Sequence, residues 1–423
     1  MKKALVLAGG IPQIELIRHL KARGYETILA DYTPHPVAEP FADRFYQVST
    51  LDIDGIRNIA VNEKVDLLLT VCTDQALNTV ATVSEELGLP CYIAAETGRN
   101  VTNKKYMKNV FARHEIPTAK FVILEENDFS VPEDIPYPII VKPVDCNSSK
   151  GVAKVTNKEE LTAALSAAFR YSRTHNAIVE EFVEGKELSV DVLVKDGEPE
   201  ILCVSESDKA KIDGKFIIYR SVVPAGVKNE TYGKIHEIAK KIAQAFALKD
   251  CPMLIQMLYR DGELYVIEFS ARTGGGLKYQ LIEQNSGVDI IDYAIDAALG
   301  TCRSVKPKFT GKYIINEFIY TSGGVFDHVE GFDEAVADGS MQSYYVFHSK
   351  GTEFDSEIRS SGDRIAGFTI VADTYEEYLE KNSRIASSVK VIDDHGKDMM
   401  RHDISEPATR RVQPSIKAME GRK

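Results

Sequence analysis

The chain has 423 residues, a length that predicts two to four domains rather than a single hydrophobic core. Hydrophobic residues make up 44% of the sequence and charged residues 27%, which is typical of a globular protein and excludes a mostly disordered or fibrous one. No apolar run approaches the roughly 18 residues that span a bilayer. The net charge of −12 argues against a large nucleic-acid interface.

Cysteine and histidine spacing narrows the chemistry further. The six cysteines are scattered singly without C-x-x-C spacing, which argues against a thiolate zinc site and against a disulfide framework. Reduced thiols of this kind predict a cytoplasmic protein. The nine histidines form no closely spaced pair. Oxygen ligands for a hard cation therefore remain the metal chemistry to look for.

The first segment predicts a small α/β unit. Residues 4–8 form a continuous apolar run typical of a strand covered on both faces, rather than a signal peptide. Helical spacing over residues 11–23 follows, then strands at 27–31 and 66–71 and a helix at 74–87. Alternation of strands and helices predicts a parallel sheet.

A nicotinamide-binding fold is the alternative interpretation of this segment. In that case Asp31, at the end of the second strand, would bind a ribose hydroxyl. The full G-x-G-x-x-G pattern is absent, because only Gly9-Gly10 stands at the first turn. The pattern therefore favours a scaffold on the substrate side of a site over a dinucleotide site.

Two lysines and a small polar loop predict phosphate binding in the middle segment. Lys104 lies near the start of a helix predicted over 103–114, and Lys142 ends the apolar strand 137–143. The loop that follows, up to Gly151, can direct backbone amides and hydroxyls at phosphates, to which a lysine adds a point charge. A solvated hairpin turn is the alternative interpretation.

A second strand, 177–183, carries acids where a core strand would carry apolar residues. A backbone hinge after Glu180 could bind the edge of a purine. Glu187, after the turn into the next strand, suits ribose hydroxyls. Solvent-facing acids are the alternative here.

The most informative segment is 254–272, which predicts two strands joined at Asp261-Gly262. Glu268, Ser270 and Arg272 then share one face. A two-residue turn would place Gln256 on the opposite face, and a longer bulged turn would place it on the same face. Oxygen ligands for Mg²⁺ beside an arginine would need the longer turn, so the functional interpretation predicts it.

Taken in order, these features resemble the ATP-grasp superfamily. The residues that carry the resemblance are Lys104, Lys142 with its loop, the stretch 180–183, Glu187, and the strand from Glu268 to Arg272. The chain resembles the branch that contains biotin carboxylase, the large subunit of carbamoyl-phosphate synthase and L-amino-acid ligases, over about residues 1–400.

The resemblance implies a role for each of these residues. Arg272 and Lys142 would be catalytic, stabilising the transferred phosphoryl group. Gln256, Glu268 and Ser270 would surround Mg²⁺, with Mn²⁺ as an alternative ion. ATP would be bound by Lys104, Lys142, Ser148, Ser149, Gly151, Glu180, Glu181, Phe182, Val183 and Glu187.

The resemblance also implies the reaction. A carboxylate is activated by ATP as an acyl phosphate, and an amine then attacks it, giving an amide, ADP and phosphate. Candidates for binding the small-molecule acid and amine are Arg220, Gly275, Gly276 and Arg364. Neither nucleic acid nor a membrane is expected as a partner, and a homodimer is left open.

The alternatives are a bicarbonate-activating carboxylase or carbamoyl-phosphate-type enzyme, and a nucleotide-binding regulatory module with little turnover. The second is motivated by three departures from the family pattern: Asn103 stands for Asp, Ser148 for Gly and Ser270 for Asn. A nicotinamide oxidoreductase comes last.

The expected fold class is α/β, with an α+β central part. We expect a Rossmann-like pre-ATP-grasp domain over 1–95 and an ATP-grasp domain over 96–310, whose lid covers about 118–182. A biotin-carboxylase-like α+β domain over 311–403 and a disordered tail over 404–423 complete the expected organisation.

Overall fold

The computed structural model describes residues 1–126, 128–146, 151–212 and 215–404. Ser148, Ser149 and all of the predicted tail except residue 404 lie outside the described residues. The described residues form four sheets, and the strands of the two sheets in the C-terminal part alternate along the chain. None of the helices in the described part combines the length and the apolar character that crossing a bilayer requires.

The N-terminal sheet is parallel and has the strand order β3-β2-β1-β4. Ala4 to Leu7 are fully buried because helices cover both faces of this sheet. The strands are β1 (Lys2–Leu7), β2 (Tyr25–Asp31), β3 (Arg44–Gln47) and β4 (Leu67–Leu69). The helices are α1 (Ile11–Ala22), α2 (Ile53–Glu63), α3 (Asp74–Leu87), α4 (Ala95–Val101) and α5 (Lys104–Arg113), with a short 3₁₀ helix at Glu39–Phe41.

Asp31 stabilises the first turn of this sheet. Its Oδ2 accepts a hydrogen bond from the Gly9 amide at 2.7 Å, and its Oδ1 accepts one from the Thr33 amide at 2.7 Å. A Cβ at Gly9 would lie 2.5 Å from the Cβ of Pro36, so only glycine fits this turn. Both carboxylate oxygens of Asp31 are thus used within the scaffold, which disfavours the nicotinamide alternative.

A small antiparallel sheet follows, in the order β5-β8-β6-β7. Its buried side chains pack on one helix, and Leu165 and Ala168 of that helix are fully buried. The elements are β5 (Phe121–Glu125), β6 (Ile139–Pro143), β7 (Ala153–Val155), α6 (Lys158–Tyr171) and β8 (Asn176–Glu181).

The largest sheet has eight strands in the order β13-β12-β9-β10-β11-β14-β18-β16, and every neighbouring pair is antiparallel. One face packs on α7 through alternate residues of its strands. The central elements are β9 (Lys186–Lys195), β10 (Glu198–Ile212), β11 (Lys215–Val223), α7 (Asn229–Ala245), β12 (Cys251–Arg260), β13 (Glu263–Ser270), α8 (Lys278–Ser286) and α9 (Ile290–Leu299).

The C-terminal part extends this sheet and adds a three-stranded one, β17-β15-β19. Its own core includes Phe332, Phe368 and Tyr378. The elements are β14 (Tyr313–Ile319), β15 (Gly324–Glu330), α10 (Phe332–Ala337), β16 (Ser343–Val346), β17 (Glu353–Phe354), β18 (Ala366–Ala372), α11 (Tyr375–Ser388) and β19 (Lys390–Asp393), with a 3₁₀ helix at Ser361–Asp363.

Candidate active site

A polar cleft lies where the C-terminal edge of the parallel sheet meets the hairpin at the edge of the eight-stranded sheet. Three short segments contribute its side chains: the start of α3, the junction of α4 and α5, and the hairpin β12–β13. The cleft is lined by Asp74, Val101, Thr102, Lys104, Met107, Leu254, Gln256, Glu268, Phe269, Ser270 and Arg272.

The hairpin brings Gln256 and Glu268 together, but by a different route from the predicted one. Arg260 pairs with Glu263, so the turn has only two residues, and Asp261 and Gly262 both have positive φ (52° and 93°). The prediction of a longer turn was therefore wrong. The register shifts instead beyond the turn, where Met257 pairs with Val266 and Gln256 with Glu268.

The extra residue, Ile267, reverses the alternation of β13. Leu264 and Val266 point into the core before the bulge and Phe269 after it. Glu268 would point into the core without the bulge, because residues two apart share a face. The bulge thus directs the carboxylate into the cleft.

Lys104 directly contacts Glu268, one of the candidate metal ligands. Its Nζ lies 3.0 Å from Oε2 of Glu268 and donates to the carbonyl oxygen of Cys146 at 2.8 Å. Asn103 begins the helix, since its side chain accepts a hydrogen bond from the Tyr106 amide. Burial lowers the pKa of Lys104, but the charge of Glu268 outweighs it and the net pKa is raised.

Arg272 is held by the carboxylate of Asp74, which starts helix α3 after the last strand of the N-terminal sheet. Nη2 and Nε of Arg272 lie 2.5 Å and 2.8 Å from the two carboxylate oxygens of Asp74, and Ser270 Oγ donates to the same carboxylate. Burial opposes ionisation of Asp74, yet the guanidinium outweighs it and lowers the pKa of Asp74. This bidentate geometry fixes the plane of the guanidinium.

Lys142 does not stand alone at the end of β6. It shares the buried carboxylate of Glu180 with a second lysine, Lys108: Lys142 Nζ lies 2.8 Å from Oε2, and Lys108 Nζ lies 2.7 Å from Oε1. All three side chains are buried. Burial lowers the pKa of Lys108 to about 8, although Glu180 raises it. Burial would raise the pKa of Glu180, but the two lysine charges lower it to about 2.

The predicted purine hinge, residues 181–183, follows Glu180 in the chain. The amides of Glu181 and Phe182 donate to the carbonyls of Lys120 and Pro138 at 2.9 Å and 3.2 Å. Within the described part of the chain, the amide of Val183 makes no hydrogen bond. Lys154 Nζ lies 3.5 Å from the ring centroid of Phe182. The Val183 amide is therefore the hinge donor that a purine edge could use.

Glu187, the predicted ribose ligand, shares a sheet face with the metal candidates. It pairs in register with Leu258, two residues from Gln256, and its buried carboxylate is bound by Lys209. A path along one face of the sheet thus connects the ribose candidate to Gln256 and Glu268.

A buried ionisable cluster lies under the glycine loop after Arg272. Asp191 is 1% exposed, and neither of its carboxylate oxygens has a side-chain partner within the described residues. Burial raises the pKa of Asp191 to about 6, although Lys278 opposes the shift. Lys278, also buried, donates to Ser205, and a Cβ at Gly274 would lie 2.8 Å from Asp191.

The four candidates for substrate binding fall into two groups. Arg220 is 2% exposed, does not line the cleft and donates to Glu317 at 2.7 Å, which favours a structural role. Gly275 and Gly276 form the loop beside the cleft; a Cβ on Gly276 (φ 67°) would lie 3.5 Å from Arg364 Nη1. Arg364 stacks on Phe318, with its Cζ 3.7 Å from the ring centroid.

Gly151, which ends the predicted phosphate-binding loop, also requires glycine. Its φ is +72°, and a Cβ there would lie 2.9 Å from the ring of Tyr171 and 3.2 Å from Pro143. The close approach to Pro143 places Gly151 beside the end of β6, where Lys142 lies.

The donor set fits Mg²⁺ supported by phosphate oxygens. Glu268 and Gln256 present a carboxylate and a carboxamide on one face, with the hydroxyl of Ser270 on the same strand. The described residues contain no group of three or more His, Cys, Asp and Glu side chains that could enclose an ion. Mg²⁺ commonly binds through one or two carboxylates plus substrate phosphates, so this sparse set suits it.

Sequence reasoning missed Asp74, Lys108 and Asp191. Asp74 had a usable signal, because ligands of parallel α/β sheets bind beyond the carboxyl ends of the strands and Asp74 starts the helix after β4. Lys108 and Asp191 had none. A lysine inside an amphipathic helix and an acid inside a strand are usually solvent-facing, and only the tertiary structure shows that both are buried.

Comparison with known proteins identifies the family of the central domain. Residues 135–280 match the sequence model of the ATP-grasp domain. The chain is 32% identical to a D-alanine–D-alanine ligase of Bacillus velezensis over 213 residues, which cover 45% of this chain and 58% of the relative. It is 25% identical to the carbamoyl phosphate synthase large chain of Clostridium botulinum over 295 residues, which cover 68% of this chain and 27% of the relative.

Solved structures extend the likeness to nearly the whole chain. The L-amino acid ligase from Bacillus licheniformis superimposes with a TM-score of 0.78 at 19% identity, covering 93% of this chain and 99% of that one. The biotin carboxylase domain of the Hydrogenobacter thermophilus 2-oxoglutarate carboxylase gives 0.75 at 19% identity, covering 95% and 96%.

Residues 135–280 therefore match an ATP-grasp domain, and the chain as a whole shares the fold of the L-amino acid ligase and of the biotin carboxylase domain. The expected fold class is confirmed.

Proposed function

We propose that this protein is an ATP-dependent carboxylate–amine ligase. It activates a small carboxylate as an acyl phosphate and joins it to an amine, releasing ADP and phosphate. The observation that carries the proposal is the cleft in which Glu268, Gln256, Lys104 and Arg272 converge. Relatives named as ligases for D-alanine and for L-amino acids support an amino acid as the carboxylate.

Charge in the cleft suits phosphoryl transfer. Such transfer depends on positioning and on neutralising oxygen charge rather than on a protein nucleophile. Lys104 pairs with Glu268, and Arg272 pairs with Asp74. Bound phosphates would compete for Lys104. Arg272, kept in plane by Asp74, can direct its guanidinium at the transferred phosphoryl group.

A bound magnesium ion would supply charge neutralisation between the phosphates, with Glu268 and Gln256 as its protein ligands. The other contacts to ATP and substrate would come from the protein itself. The Val183 amide and the Glu187 carboxylate would bind the base and the ribose. The loop of Gly275 and Gly276 lets a substrate approach the backbone beside Arg272.

Nucleotide product analysis tests the proposal. The protein is incubated with Mg-ATP and a matrix of amino acids, other small acids and amines, with bicarbonate as a separate arm. We expect ADP and phosphate only with a particular acid–amine pair, together with an amide product of matching mass.

Other outcomes would contradict it. AMP and pyrophosphate would mean adenylation. ADP formed with bicarbonate, but with no acid–amine pair, would favour the carboxylase or carbamoyl-phosphate-type alternative. Tight ATP binding without turnover under any pair would favour a regulatory module.

A further inference from the structure

Two lysines share the carboxylate of Glu180 beside the proposed phosphate site. Glu180 gives one oxygen to Lys142 and the other to Lys108, at 2.8 Å and 2.7 Å. Lys108 is 1% exposed, Lys142 5% and Glu180 6%, so water contributes little to stabilising these charges. Lys142 is a predicted ligand of the ATP phosphates, whereas Lys108 has no predicted role.

ATP binding would change the partners of this cluster. The ammonium of Lys142 lies 2.8 Å from Glu180, whereas contact with a phosphate would require it to turn towards the nucleotide. A carboxylate abandoned in a buried site is strongly destabilising. Release of Lys142 is therefore favourable only if another cation stays with Glu180.

Lys108 is placed to be that cation. It lies on α5, and its ammonium also donates to Thr118 Oγ1 at 2.5 Å and to the carbonyl of Val266 at 3.4 Å. These contacts tie it to β13 and to the segment before β5 and anchor its ammonium beside the oxygen of Glu180 that Lys142 does not contact.

We propose that Lys108 is a positioning residue that retains the charge of Glu180 and thereby frees Lys142 for the phosphates of ATP. This inference rests on the proposed ATP site. It predicts that Lys108 matters for binding phosphate and not for binding the nucleoside.

The test compares the affinities of Mg-ATP and of adenosine, measured by isothermal titration calorimetry. In Lys108→Gln a polar donor remains at this position, but the charge is gone. Lys142 then becomes the only cation on Glu180 and is held there. We expect the ratio of ATP affinity to adenosine affinity to fall about tenfold or more relative to wild type.

A second substitution should reverse the effect. In Lys108→Gln/Glu180→Gln no carboxylate holds Lys142, so we expect the ratio to return to within about threefold of wild type. Lys108→Met, which cannot donate, should behave like Lys108→Gln. Thr118→Val is the matched control, because it removes a contact of Lys108 but no charge, and its ratio should stay unchanged.

The inference is overturned if Lys108→Gln lowers both affinities equally, or if the double substitution weakens ATP binding further. Either result would mean that Lys108 only supports the fold. A wild-type protein that binds ATP no better than adenosine would contradict the proposed function itself, which distinguishes the two failures.

Discussion

At the scale of single residues, charged side chains in the cleft neutralise one another. Lys104 lies 3.0 Å from Glu268, and Arg272 is bound by both oxygens of Asp74. Buried charges are tolerated only when paired, so these pairs stabilise the cleft. The proposed function requires Lys104 to exchange Glu268 for a phosphate when ATP binds.

Replacing Glu268 by alanine should remove the only carboxylate of the proposed metal set. We expect ATP turnover to fall by about 10²- to 10³-fold, a typical loss for a group that stabilises the transition state. The measurement is the initial rate of ADP release with the substrate pair found by product analysis. Glu263→Ala, at the exposed start of the same strand, is the control and should keep normal turnover. Equal rates in both variants would remove Glu268 from the metal site.

Asp191 predicts a dependence of stability on pH. Its pKa is raised from 3.8 to about 6 by burial, so the folded protein binds more protons than the unfolded chain between these values. The free energy of unfolding therefore falls as pH rises through this window. About two pKa units correspond to up to about 3 kcal/mol.

Asp191→Asn should abolish this loss. In denaturant unfolding at pH 7.5 we expect the variant to be more stable than wild type, by up to about 3 kcal/mol. The gain should shrink as pH approaches 4. The exposed Asp134→Asn is the control and should change stability by less than about 0.5 kcal/mol at either pH. Destabilisation by Asp191→Asn at pH 7.5 would contradict this account.

At the scale of elements, the hairpin β12–β13 determines whether a site exists. Its two-residue turn alone would leave Gln256 and Glu268 on opposite faces, and the bulge at Ile267 brings them together. Bulges are common beside functional sites because they redirect a side chain without ending the strand.

Two glycines, one in this turn and one on α7, should respond in opposite ways to substitution by alanine. Gly262 has a φ of +93° with open space around it, so Gly262→Ala should cost about 1 kcal/mol from backbone strain alone. Gly233 lies on the exposed side of α7 and also has open space around it, so Gly233→Ala should stabilise by about 0.5–1 kcal/mol. Chemical denaturation of both variants measures the difference. A stabilising Gly262→Ala would argue against the observed turn.

At the scale of the whole molecule, the site depends on two sheets meeting. Asp74 starts α3 after the parallel sheet, whereas Arg272 and Ser270 follow or end β13, almost 200 residues later in the chain. The short parallel strand β4 thus positions an acid against the catalytic candidate of a different sheet. The N-terminal part is therefore a structural component of the site.

Asp74→Asn tests this dependence. The amide keeps the shape but loses the charge and one acceptor, so Arg272 should lose its fixed plane. We expect kcat to fall about 10- to 100-fold with a smaller change in KM for ATP. Asp54→Asn, in the exposed first turn of α2, is the control. An unchanged kcat would mean that Arg272 is oriented without Asp74.

Much of the site was predictable from short-range pattern. The apolar run of β1, the helix that starts at Asp74 and the shared face of Glu268 and Ser270 follow from local periodicity, because each is set by near neighbours in the chain. The order of Lys104, Lys142, Glu187, Glu268 and Arg272 along the chain was enough to indicate the ATP-grasp superfamily.

Pairing and burial were decided only by the tertiary structure. The position of the bulge depends on how β12 also pairs with β9. The residues of the two-residue turn do not indicate where the bulge lies. Whether Lys108 or Asp191 faces water depends on packing against elements far away in sequence. Local pattern in the sequence thus indicated the ATP-grasp superfamily and supplied most of the candidate ligands. The fold sets which charges meet, because Coulomb pairs and desolvation act through space rather than along the chain.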